Sequence, residues 1–404
     1  MNKLKEKIEN WLYTKRYTWK KYDFSLIIVV LLLCSVSVYT LYLIGNSDIH
    51  SSNFTHQILG VVLGFILLFV CSVIDYHTLC MYIPILYIAS TLMAAATKLS
   101  PLGTDLSTDS YRWLDFKVVA FQPSELCKIV VILALAVFFT KRIEKLQSFK
   151  TFFLACLIAL VPTFFILIQS DLSSSLVLIF ILAMMILGSG IGWKIIAPIL
   201  GVLIPLGGFF FWYILQPGEK FLIKDYQVKR ILGFLNQESE KLDVMYQQNN
   251  SVLSIASGKL YGKQLLDGVS ESRNYNKVDV AESDFIWSVI GEEYGFIGSI
   301  VILCFISFII IKCFRAAIRA RDYTGMMIAT GIAALFSFQT FFNIGVATSI
   351  LPNTGLPLPF LSSGLSSMMS SMMAVGIIIN IKIQPARAGT SSVTFRDPGL
   401  GKIK

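Results

Sequence analysis

Four groups of polar residues interrupt this apolar chain, and their side chains could do chemistry. The first group consists of Arg112 and the segment Phe-Gln-Pro-Ser-Glu-Leu-Cys-Lys at 121–128. Its proline suits the first turn of a helix, where the macrodipole favours Glu125, and Lys128 follows at a spacing that allows an ion pair. Two interpretations stay open: a structural cap with an intramembrane ion pair, or a cation site for a phosphate-bearing ligand.

The second group is Gln-Ser-Asp-Leu-Ser-Ser-Ser at 169–175, in which Asp171 is the acid. An aspartate followed by serines is a good helix N-cap, which is the structural interpretation. The alternative is a carboxylate that shapes a ligand cavity at the outer membrane face.

The third group, Glu-Ser-Asp-Phe-Ile-Trp-Ser-Val-Ile-Gly-Glu-Glu at 282–293, begins where a long loop enters an apolar span. At 100° per residue, Asp284, Ser288 and Glu292 share one side of a helix, with Glu292 roughly 12 Å deeper than Asp284. Glu293 faces another direction and needs its own partner. Ionisable groups at membrane depth are costly, so a functional interpretation is stronger here than packing alone.

The fourth group is Asn343-Ile-Gly345 followed by the proline-rich segment Leu-Pro-Asn-Thr-Gly-Leu-Pro-Leu-Pro-Phe-Leu-Ser-Ser-Gly at 351–364. Its prolines and glycines cannot continue a helix. Irregular backbone at membrane depth occurs only where it packs on protein or lines a cavity. We therefore predict a re-entrant segment or a rigid outer turn that frames a site.

The composition indicates a membrane protein. Of 404 residues, 55% are hydrophobic and 15% are charged, whereas soluble domains carry about 25% charged residues. The apolar residues form runs of about 20, the length that crosses the hydrocarbon layer as a helix, and such uninterrupted runs exclude a β-barrel. We predict an all-α, polytopic membrane protein with about ten transmembrane helices. The predicted spans are 24–45, 55–74, 79–97, 122–139, 151–168, 171–190, 193–215, 284–311, 324–350 and 364–381.

The charge distribution predicts the orientation of these spans. The net charge is +9, and basic residues precede the first span and fill the connectors 140–150 and 312–323. Basic residues collect in cytoplasmic loops, which predicts that both termini are cytoplasmic and that the basic segments meet anionic lipid rather than nucleic acid. The predicted domains are an amphipathic basic N-terminus at 1–23, a ten-helix membrane domain at 24–381 and a cytoplasmic tail at 382–404.

One connector, 216–283, is predicted to form a single large extracytoplasmic loop within the membrane domain. Long loops cross the membrane regardless of their charge, so its basic residues do not contradict the orientation. Loops of this length are uncommon unless they are functional or disordered. We predict that this loop is a lid or an acceptor groove.

Taken together, the four groups resemble the motifs of the SEDS family (shape, elongation, division and sporulation proteins, which include RodA, FtsW and SpoVE). The resemblance rests on the segments Arg112–Lys128, Gln169–Ser174, Ser283–Phe296 and Asn343–Phe360, and it covers nearly the whole chain. Phe-Leu-Asn at 234–236 is slightly more similar to the RodA branch.

The sequence departs from the family pattern beside these motifs. Ser170 and Ser173 replace the proline and the glycine of Gln-Pro-Asp-Leu-Gly-Thr. Asp279–Glu282 replaces Pro-Glu-x-His, and Ser362–Leu365 replaces Ser-Tyr-Gly-Gly. These differences bear on substrate detail and on the level of activity.

The resemblance implies a peptidoglycan glycosyltransferase that polymerises lipid II at the outer face of the bacterial cytoplasmic membrane, with a class B penicillin-binding protein as partner. It implies Asp284 as the catalytic base; a diphosphate leaving group needs cations rather than an acid. The implied substrate-binding residues are Arg112, Glu125, Lys128, Asp171, Arg230, Lys263 and Ser288. No cofactor is evident, and a divalent cation such as Mg²⁺ is left open.

Two other function classes fit parts of the sequence. A flippase or transporter for the same lipid would use intramembrane acids such as Glu292 and Glu293 as a proton relay. Transporters place such groups near the midplane, often in repeated halves, whereas here the polar groups are biased outward and no repeat is found. The third class is a noncatalytic scaffold for the penicillin-binding protein, which the departures beside Asp284 keep open.

Overall fold

The computed structural model describes residues 17–45, 52–99, 103–104, 112–115, 120–216, 245–266 and 273–384. Helices dominate this part of the chain. In chain order they are α1 (Phe24–Ile44), α2 (Ser52–Val73), α3 (Tyr76–Met81), α4 (Ile83–Leu99), α5 (Pro123–Lys141), α6 (Phe149–Ile168), α7 (Leu172–Gly188), α8 (Trp193–Leu215), α9 (Tyr246–Ser257), α10 (Lys263–Leu266), α11 (Ile286–Ile318), α12 (Tyr323–Ala347) and α13 (Leu365–Ile383). Short 3₁₀ turns cover Trp19–Lys21, Ile143–Lys145 and Asn274–Lys277.

The long helices coincide with the predicted spans, and the protein is an all-α, multi-pass membrane protein. In the described part of the chain, eight helices are long and apolar enough to cross a membrane: α1, α2, α5, α6, α8, α11, α12 and α13. The shorter apolar helices α4 and α7 occupy the other two predicted positions. Helix α11 runs to Ile318 and so continues into the basic connector, beyond the predicted end of its span.

A small antiparallel sheet, which the sequence did not predict, lies in the connector before α5. Its strands are β1 (Gly103–Thr104), β2 (Trp113–Asp115) and β3 (Ala120–Phe121), in the order β1-β2-β3. Strand β3 ends immediately before Gln122, the N-cap position of α5. The sheet therefore fixes the backbone beside Arg112 and delivers the chain into the start of α5.

The chain divides into two packing units. The first contains residues 1–191, 305–339 and 359–404; the second contains 192–304 and 340–358. In the first unit, α2 packs along α13 at close range, because a Cβ atom on Gly376 would lie 2.5 Å from the carbonyl oxygen of Leu68. Small residues allow this approach. Close van der Waals packing then holds the two helices together, because the hydrophobic effect does not drive helices to associate in lipid.

A half-buried histidine lies between two aspartates in the first unit, outside the membrane-length helices. Nδ1 of His77 lies 2.7 Å from Asp75, and Nε2 lies 2.9 Å from Asp322. The hydroxyl of Tyr76 also donates to Asp322. Burial by itself lowers the pKa of His77, but the hydrogen bonds to Asp322 and Asp75 outweigh burial and hold the pKa above its usual value. The imidazolium thus joins α3 to the start of α12.

This cluster predicts that stability falls as the pH rises. A folded-state pKa above the ordinary 6.5 means that the stabilisation is complete below that pH and is lost as pH rises through the folded-state value. Thermal unfolding of the purified protein should therefore occur at a lower temperature at about pH 9 than at about pH 6. His77→Gln should remove most of this difference; an unchanged pH dependence in that variant would contradict the prediction.

Candidate active site

Asp284 lies half-buried in the turn immediately before α11, in the second unit. Its backbone carbonyl accepts a hydrogen bond from Nδ2 of Asn343 at 2.9 Å. The same nitrogen donates to the carbonyl of Leu356 at 2.7 Å. Asn343 is buried on α12. One amide therefore fixes both the backbone of Asp284 and the proline-rich segment after α12.

The prediction that Asp284, Ser288 and Glu292 share one side of a helix is wrong for Asp284 and is confirmed for the other two. Helix α11 begins at Ile286, so Asp284 precedes it, while Ser288 and Glu292 lie one turn apart within it. Both of these side chains are fully buried. The hydroxyl of Ser288 donates to the carbonyl of Phe285 at 2.6 Å, which stabilises the turn that carries Asp284.

Glu292 is a buried anchor for the returning end of the large loop. It accepts hydrogen bonds from Nζ of Lys263 at 2.6 Å and from the backbone N–H groups of Asn274 and Tyr275 at 2.8 and 2.9 Å. A buried carboxylate is stable only when it is paired and hydrogen-bonded, and these donors meet that requirement. The structure therefore places Lys263 in an ion pair; its predicted diphosphate contact stays a prediction.

Glu293 has its own partner, Arg273, as the sequence predicted for an acid on another side of the helix. Nε of Arg273 donates to Oε1 at 2.8 Å and Nη2 donates to Oε2 at 3.3 Å, a two-pronged ion pair. Burial lowers the pKa of Arg273, and the hydrogen bond and charge of Glu293 more than offset this, so the guanidinium stays charged. The two neighbouring acids of α11 thus hold two points of the same loop.

The loop crosses α11 where glycines let the two backbones touch. A Cβ atom on Gly258 would lie 1.9 Å from the carbonyl oxygen of Gly291. Gly295 has φ of +66°, a region that favours glycine, and it breaks α11. The break frees two N–H groups, which donate to the loop: Phe296 to Lys259 at 3.0 Å and Ile297 to Leu260 at 3.1 Å.

Closing this glycine contact should loosen the loop. Gly258→Ala places a methyl group against backbone atoms that cannot rotate away, which we expect to destabilise the protein by about 1–3 kcal/mol. Gly201→Ala on α8 is the matched control, because nothing lies within 4 Å of the added Cβ. Thermal unfolding and limited proteolysis of the loop in detergent provide the measurements. Equal behaviour of the two variants would contradict the prediction.

Helix α9, from the same loop, covers the end of α12. Nε2 of Gln248 donates to the carbonyls of Val346 at 3.0 Å and Leu351 at 2.8 Å. The hydroxyl of Ser251 donates to the carbonyl of Ala347 at 2.7 Å. The carbonyls of Val346 and Ala347 belong to the last turn of α12, and that of Leu351 lies just beyond it. The described part of the loop is therefore attached both to α11 and to α12.

The first unit collects a second polar group around Asp171. Asp171 is the N-cap of α7 and accepts from the N–H of Ser174 at 3.0 Å, as the structural interpretation predicted. Its other oxygen accepts from Gln122 and Ser124, each at 3.3 Å. Arg112 donates through Nη2 to the carbonyl of Ser170 at 2.9 Å. The carboxylate therefore joins the starts of α5 and α7.

Glu125 and Lys128 form an ion pair one turn apart on α5, as the structural interpretation expected. Their nitrogen and oxygen atoms lie 2.7 Å apart, and both side chains are almost completely buried. The second oxygen of Glu125 accepts from the hydroxyl of Ser370 on α13 at 3.2 Å. Arg112 differs from Lys128, because its Nε is buried and makes no hydrogen bond within the described residues.

The predicted site residues therefore form two groups. Within the first unit the structure brings Asp171 close to Arg112 through Ser170, and Glu125 to Lys128. Within the second it joins Lys263 to Glu292 and sets Ser288 behind the turn of Asp284. Arg230 and the segment 234–236 lie outside the described residues. In the described part of the chain, no three His, Cys, Asp or Glu side chains are grouped so that they could hold a metal ion.

Sequence reasoning missed two contacts. It singled out Asn343 as part of a motif but did not connect it with Asp284, and it gave Glu293 no named partner. An asparagine within an apolar span was the available signal for the first contact. For the contact between Glu293 and Arg273, the sequence did indicate that a buried acid needs a cation. It did not indicate which cation, because Arg273 lies in a loop.

Comparison with known proteins gives these groups a context. The profile of the cell cycle protein family (FtsW, RodA and SpoVE) matches residues 18–386. The probable peptidoglycan glycosyltransferase FtsW of Geobacter sp. (strain M18) is 30% identical over 369 residues, which cover 89% of this chain and 96% of the relative. The peptidoglycan glycosyltransferase MrdB of Escherichia coli (strain K12) is 29% identical over 372 residues, which cover 91% and 95%.

The fold agrees with these sequence matches. A solved chain of a peptidoglycan synthase complex that coordinates polymerization and crosslinking superposes with a TM-score of 0.73 at 24% identity, over 89% of this chain and 97% of the other. The matched residues 18–386 include all four polar groups and all ten predicted spans. This protein therefore belongs to the FtsW, RodA and SpoVE family of cell cycle proteins, the family that its motifs resemble.

Proposed function

We propose that this chain is a peptidoglycan glycosyltransferase that polymerises lipid II into glycan strands. The observation that carries the proposal is the match along almost the whole chain to relatives named for this activity, at 30% and 29% identity. The match spans 96% and 95% of the lengths of these relatives.

Asp284 is the proposed catalytic base. In this proposal its carboxylate takes the proton of an acceptor sugar hydroxyl while that oxygen forms a bond to C1 of the donor sugar. The bond between C1 and the diphosphate oxygen breaks, and the lipid diphosphate leaves with the electron pair. General base catalysis of this kind contributes about 10²–10⁴-fold to a rate. The fixed backbone of the turn supports the proposal, because a base must be held in position.

The departing diphosphate needs positive charge, and Arg112 is the proposed contact. Its Nε, which makes no hydrogen bond to the part of the chain that the structure describes, supports this role, since the guanidinium keeps donor capacity for a phosphate oxygen. Lys128 and Lys263 remain proposed contacts with less free charge, because each is paired with a glutamate. Glu125, Asp171 and Ser288 are proposed to shape the substrate cavity. Arg230 stays a prediction, since it lies outside the described residues.

We also propose the location and the partner. The chain would lie in the bacterial cytoplasmic membrane with both termini in the cytoplasm, as the basic connectors favour. The proposed partner is a class B penicillin-binding protein. The similarity to a chain of a complex that coordinates polymerization and crosslinking supports a transpeptidase as the partner.

Transport of the same lipid is the competing function, and the contacts of Glu292 and Glu293 make it the weaker proposal. A proton relay needs acids that exchange protons along a path. Glu292 and Glu293 instead hold Lys263 and Arg273 in ion pairs at 2.6 and 2.8 Å. Their carboxylates therefore have a structural role in the contact between the loop and α11.

A polymerisation assay tests the proposal. The purified protein is incubated with labelled lipid II, alone and with a candidate class B penicillin-binding protein, and the glycan strands are separated by size. We expect polymer in at least one of these conditions. Proteoliposomes that move lipid II between leaflets without forming polymer would support a transporter. Absence of both polymer and transport, with a transpeptidase that still binds, would support a noncatalytic scaffold.

A further inference from the structure

A basic cavity lies at the connector between α5 and α6, in the first unit. Its volume is about 890 Å³, and its lining comes from the segment 141–151, apart from Leu146 and Phe149. Four cations line it, against the single acid Glu144: Lys141, Arg142, Lys145 and Lys150. The side-chain amide of Gln147 and the hydroxyls of Ser148 and Thr151 complete its polar lining.

The cations that line this cavity outnumber the acid that lines it. Within the described residues none of the four forms an ion pair, whereas the lysines at 128, 263, 312 and 382 all do. The guanidinium of Arg142 lies 5.2 Å from the ring centre of Phe138, a contact that fixes its position without neutralising it. Like charges that line one cavity repel one another, and a bound anion would relieve the repulsion.

The connector is fixed by its own hydrogen bonds. The hydroxyl of Thr151 donates to the carbonyl of Lys145 at 2.7 Å, and the N–H of Lys145 donates to the carbonyl of Arg142 at 2.8 Å. Gln147 donates to the carbonyl of Gly190, at the end of α7, at 3.0 Å. A cavity whose backbone is already ordered loses little entropy when a ligand binds.

Apolar side chains beside the cations place the cavity at a membrane surface. Ile143 is 43% exposed and Phe149 is 60% exposed. Because α5 and α6 are both of membrane length, their connector lies where headgroups meet water. Cations flanked by exposed apolar residues suit a ligand with an anionic head, and charge-assisted hydrogen bonds to phosphate oxygens are the strongest contacts that lysine and arginine make there.

We propose that the cavity formed by residues 141–151 is a binding site for a phosphate-bearing anion, either the headgroup of an anionic lipid in the adjoining leaflet or a soluble phosphate. The site is separate from the proposed glycosyltransferase residues, and its test does not depend on polymerisation activity. The cations supply the charge, and the amide and hydroxyls of the connector supply further hydrogen-bond donors.

Native mass spectrometry of the full chain in neutral detergent tests the proposal. Phosphatidylglycerol, phosphatidylcholine and inorganic phosphate are titrated separately, and phosphate is then added to the lipid-bound protein. The wild type is compared with two triple variants. The lysine variant is Lys141→Gln/Lys145→Gln/Lys150→Gln, and the control is Arg315→Gln/Arg319→Gln/Arg321→Gln. The control removes the same charge from the other basic connector, whose three arginines also lack ion pairs within the described residues. Lys312 is left in place because it is paired with Asp23.

We expect the lysine variant to bind either phosphatidylglycerol or phosphate at least about tenfold more weakly than the wild type does. The affinity of the control for the same ligand should differ from that of the wild type by less than about threefold. If the wild type keeps its bound phosphatidylglycerol when phosphate is added, the ligand is a lipid headgroup. If phosphate binds to the wild type and displaces the lipid, the ligand is a soluble phosphate. Equal binding of both lipids without phosphate binding, or equal losses in the two variants, would overturn the proposal. A photoreactive phosphatidylglycerol, attached to the wild type and mapped by peptide, gives an independent answer for the lipid: if phosphate does not bind and the label is found only outside 141–151, the proposal is overturned.

Discussion

Replacing Asp284 with asparagine is expected to slow glycan polymerisation by about 10²–10⁴-fold. Asparagine keeps the size of the side chain but cannot accept the proton of the acceptor hydroxyl. The turn should survive, because the backbone carbonyl of Asp284, not its carboxylate, accepts the 2.9 Å hydrogen bond from Asn343. The rate of glycan formation from labelled lipid II by purified, monodisperse protein is the measurement.

Glu282→Gln is the matched control for this variant. It makes the same change of charge two residues away, in a half-buried position of the same segment. We expect the control to polymerise at close to the wild-type rate. If Asp284→Asn were as active as wild type, Asp284 would not be the base. If both variants lost activity equally, the effect would come from the local field rather than from a specific proton acceptor.

The helical architecture was predictable because one physical requirement governs it. A segment that crosses the hydrocarbon layer must satisfy its own backbone and must be about 20 residues long, and both conditions can be read locally. The same locality explains why the sequence could offer the pair of Glu125 and Lys128 as one of two interpretations, since their spacing along one helix decides their contact. Pro123 as the first residue of α5 follows from the same rule.

The contacts of the loop were not predictable by these rules. Glu292 clearly needed a partner, but its donors come from Lys263, Asn274 and Tyr275, whose positions depend on how the loop returns to α11. The start of α11 also shifted, because Ser288 donates to Phe285 and the turn excludes Asp284 from the helix. The break at Gly295 depends on backbone partners from Lys259 and Leu260, which no helical periodicity records.

Asn343 is expected to be a positioning residue for Asp284, and its removal should have the second largest effect. Asn343→Leu keeps the approximate volume but removes the amide that donates to the carbonyls of Asp284 and Leu356 at 2.9 and 2.7 Å. A base displaced by about 1 Å can lose roughly 10²-fold in rate. We expect kcat to fall by about that factor while KM changes much less.

The kinetic pattern separates positioning from a general loss of structure. The two carbonyls left without their donor cost about 1–3 kcal/mol each, so rates must be measured well below the unfolding temperature of the variant. Ser337→Ala is the control on the same helix, because within the described residues its hydroxyl donates to the carbonyl of Ala333 alone, at 2.7 Å. Asn343→Gln retains an amide donor and should recover part of kcat. A wild-type kcat in Asn343→Leu, or a rise of KM alone, would mean that the turn of Asp284 is held by other contacts.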